Sequence, residues 1–215
     1  MVLGRLPKVD RPAIAVLMPT LKGPGVILDV GANVNSTARD LLQFAVMGSI
    51  YMKTIMKKVA PRIGLLSTGV EEAKGDEVTV EAHRLLRQSG LNFVGNVEGR
   101  DILKGKADVI VCDGFVGNIL LKFGEGIAEE FVSVFRDEIL KYPLRKMALI
   151  LFRGAFRDIK KKIDYAEYGG APLLGVDGCS IICHGSSNVK AISNAIRVAG
   201  EFVKKKINQQ IKESL

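Results

Sequence analysis

Three glycine-bearing turns hold the residue types that could grip an anion. The first is Asp113-Gly114-Phe115-Val116-Gly117-Asn118, set between the apolar run Val109–Cys112 and apolar positions at Ile119, Phe123, Ile127, Phe131 and Phe135. A buried strand, a glycine turn and a helix N-terminus bring free N–H groups to the positive end of a helix dipole, which favours phosphate or carboxylate. Gly114 and Gly117 would let the anion reach the main chain with no Cβ in the way. The same six residues could equally do no more than join strand to helix. A second turn, Gly31-Ala32-Asn33, closes the strand pattern Val26–Val30. It lacks the three glycines of a dinucleotide fingerprint, which argues against NAD. The third, His184-Gly185-Ser186-Ser187, offers N–H groups and two hydroxyls as a phosphate cradle, with His184 as cation or proton donor. The alternative there is that Ser186 or Ser187 only caps the helix that follows. Lys122, one turn into the central helix, either meets an anion or is a solvated lysine. Glu71, Asn96 and Glu98 are expected as polar residues of the same edge.

Other chemistries fit less well. Cys179, Cys183 and His184 lie close in sequence, but a zinc site needs a fourth ligand and none is local. His83 belongs to an amphipathic helix pattern elsewhere. No G-x-S-x-G elbow supports a serine nucleophile. No metal and no cofactor are expected. Three cysteines cannot all pair within one chain, which suits a reducing cytoplasm.

The elements that must position these turns read as α/β. Apolar runs at 13–18, 26–30, 63–66 and 93–94 predict strands, and helices are predicted over about 35–59, 76–88, 119–135 and 189–211. Strand, polar glycine turn and helix recur four times, the pattern of a mainly parallel sheet with helices on both faces. In such a sheet the turns share one carboxyl edge and can converge on one site. No apolar run reaches the ~18 residues that span a bilayer.

Residues 136–162 break the repeat. Pro143 interrupts the helix, and the apolar run 147–152, MALILF, sits among basic residues. Between Lys141 and Lys162 there are eight basic residues and one acid, nearly the whole of the +8 net charge. One local basic segment points to a local anionic partner and away from nucleic acid. The apolar run admits three readings: a buried core helix, a partner-binding helix, or a tip lying in an anionic membrane surface.

With those motifs in place, the chain resembles the phosphate acyltransferases of bacterial phospholipid synthesis, the PlsX family. The similar stretches run almost end to end: DRPAIA at 10–15, LDVGANV at 28–34, GVEEAKGDE at 69–77, FVGNVEGRD at 93–101, CDGFVGN at 112–118, YAEYGGAPLLG at 165–175 and HGSSN at 184–188. The resemblance implies a three-layer α/β/α sandwich like that of isopropylmalate dehydrogenase, in a homodimer, with a projecting helical hairpin at about 126–163. It implies transfer of an acyl group from acyl-[acyl carrier protein] to inorganic phosphate, in the cytoplasm at the inner face of the membrane. Leu149, Ile150, Leu151 and Phe152 would then contact the membrane. Family members carry an N-terminal Asp-Ala-Met-Gly-Gly-Asp motif that this sequence lacks, so the chain is expected to hold about the C-terminal two-thirds of the family fold.

The expected reaction is direct attack of bound phosphate on the thioester, with no covalent acyl-enzyme. His184, Lys122 and Asn118 are the candidate catalytic residues. Gly31, Asn33, Glu71, Asn96, Glu98, Asp113, Gly114, Gly117, Gly169, Gly170, Gly185, Ser186 and Ser187 are the candidate substrate-binding residues. Two rival readings are a phosphotransacetylase-like enzyme using acyl-CoA and an inactive membrane-associated fragment.

Overall fold

A computed structural model describes residues 3–142, 154, 170–185 and 187–215. It separates into two units, Met1–Asn118 with Tyr165–Leu215, and Ile119–Asp164.

The first unit is built on one seven-stranded sheet. Its strands are β1 (Ala13–Met18), β2 (Gly25–Leu28), β3 (Ile63–Leu66), β4 (Phe93–Val97), β5 (Val109–Val111), β6 (Ala171–Leu174) and β7 (Ile181–Ile182), in the spatial order β4-β3-β5-β2-β1-β6-β7. β2, β5, β3 and β4 run parallel, as the repeated strand–turn–helix pattern requires. β1 runs against β2, β6 against β1, and β7 against β6. So β6 points the same way as the parallel core, and β7 points back.

The helices are α1 (Ala38–Thr54), α2 (Glu77–Gln88), α3 (Gly99–Ile102), α4 (Gly114–Leu140), α5 (Val189–Lys204) and α6 (Ile207–Ser214). α1 is the central packing element. Leu41, Phe44, Ala45, Met47, Ile50, Tyr51 and Met52 are all buried, in one cluster with Leu28, Ile63, Leu65, Val109 and Val111 of the sheet. Each such side chain contributes about 1.5–3 kcal/mol by leaving water. Gly48 lets the helix settle this close: a Cβ there would come 2.6 Å from Val109 Cγ1 and 2.8 Å from Leu28 Cδ1. A capping box starts α1, with Thr37 Oγ1 accepting from Asp40 N and Asp40 Oδ2 accepting from Thr37 N. The helix stops at Thr54, five residues before the expected end.

Two helices differ from expectation in a way that bears on function. The single helix expected over 189–211 is broken at Lys206, whose φ of 53° is left-handed, and α6 packs on α1 with Ile207 and Ile211 buried. On α5 the apolar residues Ile192, Ile196 and Val203 face outward and are exposed, while Ala191, Ala195, Val198 and Phe202 are buried. α4 behaves likewise. Ile119, Phe123, Ile127, Phe131 and Phe135 recur at helical spacing, yet each is 44–69% exposed. No helix among the described residues is long and apolar enough to cross a membrane.

Candidate active site at the carboxyl edge of the sheet

The ends of β2, β5, β3 and β4 share one edge, because those strands are parallel. The turns that follow them therefore lie side by side. Each uses its N–H groups differently from the open anion cradle that its sequence suggests.

After β2 the chain turns back around its own Asp29. This fully buried carboxylate accepts from the N–H groups of Ile14 (2.9 Å), Gly31 (3.2 Å), Ala32 (3.0 Å) and Asn33 (2.7 Å), and from Asn33 Nδ2 (2.9 Å). Asn33 Nδ2 also donates to the Pro12 carbonyl at 2.7 Å. The N–H groups of Gly31 and Asn33, two of the candidate substrate-binding residues, are taken by the Asp29 side chain.

Asp113 does the same for α4. One carboxylate oxygen accepts from Phe115 N at 2.8 Å and the other from Ser36 N at 2.7 Å. Burial pushes this carboxyl up, but the donated N–H groups of Ser36 and Phe115 outweigh it and hold it below the usual carboxylate range. Gly114 and Gly117 also have a packing role. A Cβ on Gly114 would overlap the Asn33 carbonyl, and one on Gly117 the Asp29 carbonyl. Glycines three apart on one helix face thus let the first turn of α4 rest on the backbone of residues 29–33. Asn118 follows on the exposed side, with its Cβ 3.6 Å from where a Cβ on Gly31 would stand. It is the side-chain amide of this turn, and it is exposed. Cys112 is buried with its Sγ 3.4 Å from the Asp29 carbonyl, and burial pushes its thiol far up, so it is no nucleophile.

The loop after β3, residues 67–76, is tied internally. Ser67 Oγ donates to the Lys74 carbonyl (2.9 Å), Lys74 N donates to the Glu71 carbonyl (3.1 Å), and Asp76 caps α2 through Thr79 N (2.7 Å). The Glu71 side chain is exposed. Asn96, at 2% exposure, gives its amide to the Glu71 carbonyl at 2.8 Å and meets His83 Nδ1 at 2.9 Å through its oxygen. Its carboxamide is bonded at both ends within the protein. Glu98 is half-buried and bonded to Arg100 at 2.8 and 2.6 Å.

The third expected turn lies elsewhere. β7 pairs antiparallel with β6, Ala171 opposite Ile182, so the chain leaves β7 beside the start of β6. The end of β6 lies beside the start of β1, at the carboxyl edge. His184, Gly185 and Ser187 therefore sit at the opposite end of the sheet from Asp113, and they do not converge with it in this unit. Gly170 is at that same far end; its φ of +82° and crowding by Ile181 Cγ2 and the Ile182 carbonyl explain its glycine. Asn188, not a serine, caps α5, its Oδ1 accepting from Ala191 N at 2.9 Å. Lys122 is in the second unit, exposed and paired with Glu125 at 2.8 Å. Gly169, Ser186, Leu149, Ile150, Leu151 and Phe152 lie outside the described residues.

Two contributors escaped the sequence reading. Asp29 stood inside a recognised motif, where the neighbouring glycine and asparagine drew the functional reading. His83 showed only helical amphipathicity. Arg11 also reaches this edge, with its Nε 3.6 Å from Asp40 and Nη1 donating to the Asn35 carbonyl at 3.3 Å. Among the described residues no group of three or more His, Cys, Asp or Glu side chains is placed to hold a metal.

A family model described as fatty acid synthesis protein matches residues 1–210. The chain belongs to that family. Among curated relatives in the family, a phosphate acyltransferase of Thermodesulfovibrio yellowstonii is 54% identical over 215 residues, all of this chain and 62% of that protein. Another phosphate acyltransferase, from Pelotomaculum thermopropionicum, is 54% identical over 213 residues, 99% of this chain and 62% of its own. The chain thus spans about three-fifths of the length of these relatives. By structure it is similar to the EutD phosphotransacetylase from Staphylococcus aureus, with a TM-score of 0.58 and 14% identity over 98% of this chain and 56% of that one. A phosphotransacetylase from Streptococcus pyogenes gives a TM-score of 0.54 at 17% identity, over 99% and 56%. The family chain therefore has the phosphotransacetylase type of α/β fold.

Proposed function

We propose that this chain carries acyl transfer from acyl-[acyl carrier protein] to inorganic phosphate, giving acyl phosphate and the free carrier thiol. The observation that carries the reading is identity above 50% along its whole length to proteins named phosphate acyltransferase. A phosphate oxygen attacks the thioester carbonyl, the carbonyl becomes an oxyanion, and the C–S bond breaks as the thiolate leaves and takes a proton. No step needs an enzyme nucleophile, in keeping with the buried, proton-holding Cys112. The enzyme's work is to hold phosphate against the carbonyl and to stabilise the oxyanion.

Within the first unit we assign this work to the carboxyl edge. The Asn118 amide donates to the developing oxyanion, with Asp113 and Asp29 fixing the turn that presents it. Lys122, four residues along α4, belongs to the second unit and is paired there with Glu125. Glu71 borders the substrate. His184, with Gly185 and Ser187, stands at the far end of the sheet and takes no part in this step.

The outward apolar stripe of α4 supports a homodimer, with a second copy covering Phe123, Ile127 and Phe131. The basic, apolar sequence at 141–162 supports a peripheral attachment to an anionic membrane at the cytoplasmic face. The test of the reaction is phosphate-dependent formation of acyl phosphate by the 215-residue chain, trapped with hydroxylamine. Product from acyl-[acyl carrier protein] but not from acyl-CoA supports the proposal. Product from acyl-CoA alone would favour a phosphotransacetylase, and none from either would overturn it for this chain.

A further inference from the structure

We infer that His83 is a positioning residue for the loop 67–76, acting through Asn96; its bearing on catalysis rests on the function proposed above, while its hold on the loop does not.

The bonding order fixes the roles. The Glu71 carbonyl can only accept, so the Asn96 amide nitrogen must face it, at 2.8 Å. That leaves Asn96 Oδ1 toward His83, and Nδ1, 2.9 Å away, must carry the proton. The other ring nitrogen, Nε2, lies 3.8 Å from Glu72 Oε1, and Glu72 in turn pairs with Arg87 of the same helix. The residue is 5% exposed, and its ring is held edge-on against Phe93, with ring centres 5.0 Å apart. One buried side chain on α2 therefore bonds β4 through Nδ1 and, through Asn96, the loop after β3.

The anchored point matters because the Glu71 carbonyl takes two donors, Asn96 Nδ2 and Lys74 N. The loop between β3 and α2 has few other ties to the sheet: the Ser67 N–H bonds to Val97, and most of residues 70–78 are exposed. Loss of the His83 proton donor leaves Asn96 buried with an unsatisfied oxygen, and its cheapest relief is to turn away from Glu71. His83 thus sets where the exposed Glu71 carboxylate stands at the edge.

Three variants test this: His83→Asn, whose amide nitrogen replaces Nδ1; His83→Leu, which removes the donor; and Asn96→Leu, which breaks the relay from its other end. Amide exchange of residues 70–75 is expected to quicken about tenfold in His83→Leu and Asn96→Leu, with the interior of α1 unchanged. In His83→Asn it stays within about twofold of the parent. In the acyl transfer assay, kcat/KM follows the same order, with His83→Asn rescuing what His83→Leu loses. Unchanged loop exchange in His83→Leu, or His83→Asn as loose as His83→Leu, overturns the inference. Should His83→Leu fail to fold, Asn96→Leu and His83→Asn decide between them. A parent chain that makes no acyl phosphate removes the proposed reaction alone, and the exchange data still decide the role of His83.

Discussion

The turn at 113–118 and the turn at 184–187 look alike in sequence, since each pairs glycine with polar side chains between a strand and a helix. In the fold they differ in nearly everything. The first is closed down: Asp113 caps its own helix, Asp29 fills the neighbouring N–H nest, and Gly114 and Gly117 lie against backbone. In the second, His184 and Gly185 are exposed, and a Cβ on Gly185 would meet nothing within 4 Å. A strand–glycine–helix sequence thus does not by itself make an anion hole. The helix ends α1, α2, α4 and α5 are each supplied with a side-chain acceptor of their own. The closed turn leaves its one side-chain amide, Asn118, exposed.

The widest gap between the turns should come from glycine replacement. Gly117→Ala gains about 1 kcal/mol in helix propensity. Its Cβ would overlap the Asp29 carbonyl, a backbone atom that cannot swing aside, so a net loss of ~2–4 kcal/mol is expected in urea unfolding. Gly185→Ala should change stability by less than about 0.5 kcal/mol. Equal effects would break the contrast.

Next comes the chemistry. Asn118→Ala is expected to lower kcat by ~10², the usual cost of one oxyanion donor. His184→Ala is expected to stay within about threefold. A loss of ~10² at His184 would show that its turn joins the reaction and would overturn the assignment of the carboxyl edge.

A smaller effect concerns acid. Asp108, at the other end of β5, accepts from Arg62 N (2.9 Å) and Nε (3.0 Å) and pairs with Lys58 (3.2 Å). Burial opposes its ionisation, but the Arg62 and Lys58 bonds win and lower its pKa to about 2. A carboxyl depressed in the folded state lends stability above its unfolded value of about 3.9, and that stability drains away as pH falls toward 2. With Arg62 and Lys58 partly exposed, screening leaves on the order of 1–2 kcal/mol. Asp108→Asn should be less stable than the parent at pH 7, with the difference closing by about pH 2. A difference that persisted at pH 2 would assign the bond network, not the charge, as its source.

The parallel core was legible because it is written locally. Each of the runs at 26, 63, 93 and 109 precedes its own polar turn, and period and punctuation suffice to read them. The direction of β7 was not legible. Two residues carry no periodicity, and antiparallel pairing with β6 is decided by the short reversal between them; that reversal moves His184 the full height of the sheet. The outward stripe of α5 shows the same limit from another side. Periodicity finds an apolar face but not which of two such faces the sheet receives, and on α5 the small residues Ala191 and Ala195 went inward beside Phe202 while Ile196 stayed outside. The Asn96–His83 link depends on how α2 lies across β4, which no short window contains.

The left-handed break at Lys206 has a consequence in time. It turns α6 back so that Ile207 and Ile211 complete the cluster around α1, while Lys205 Nζ donates to the Thr54 carbonyl and Thr54 Oγ1 to Gln210 Oε1. Residues that seal the centre of the unit are synthesised after every strand of its sheet. On the ribosome, β1 to β7 can form and pair, but the apolar end of α1 stays open to solvent until the stretch beyond residue 206 has emerged. For that interval the nascent chain exposes apolar surface that the finished unit buries.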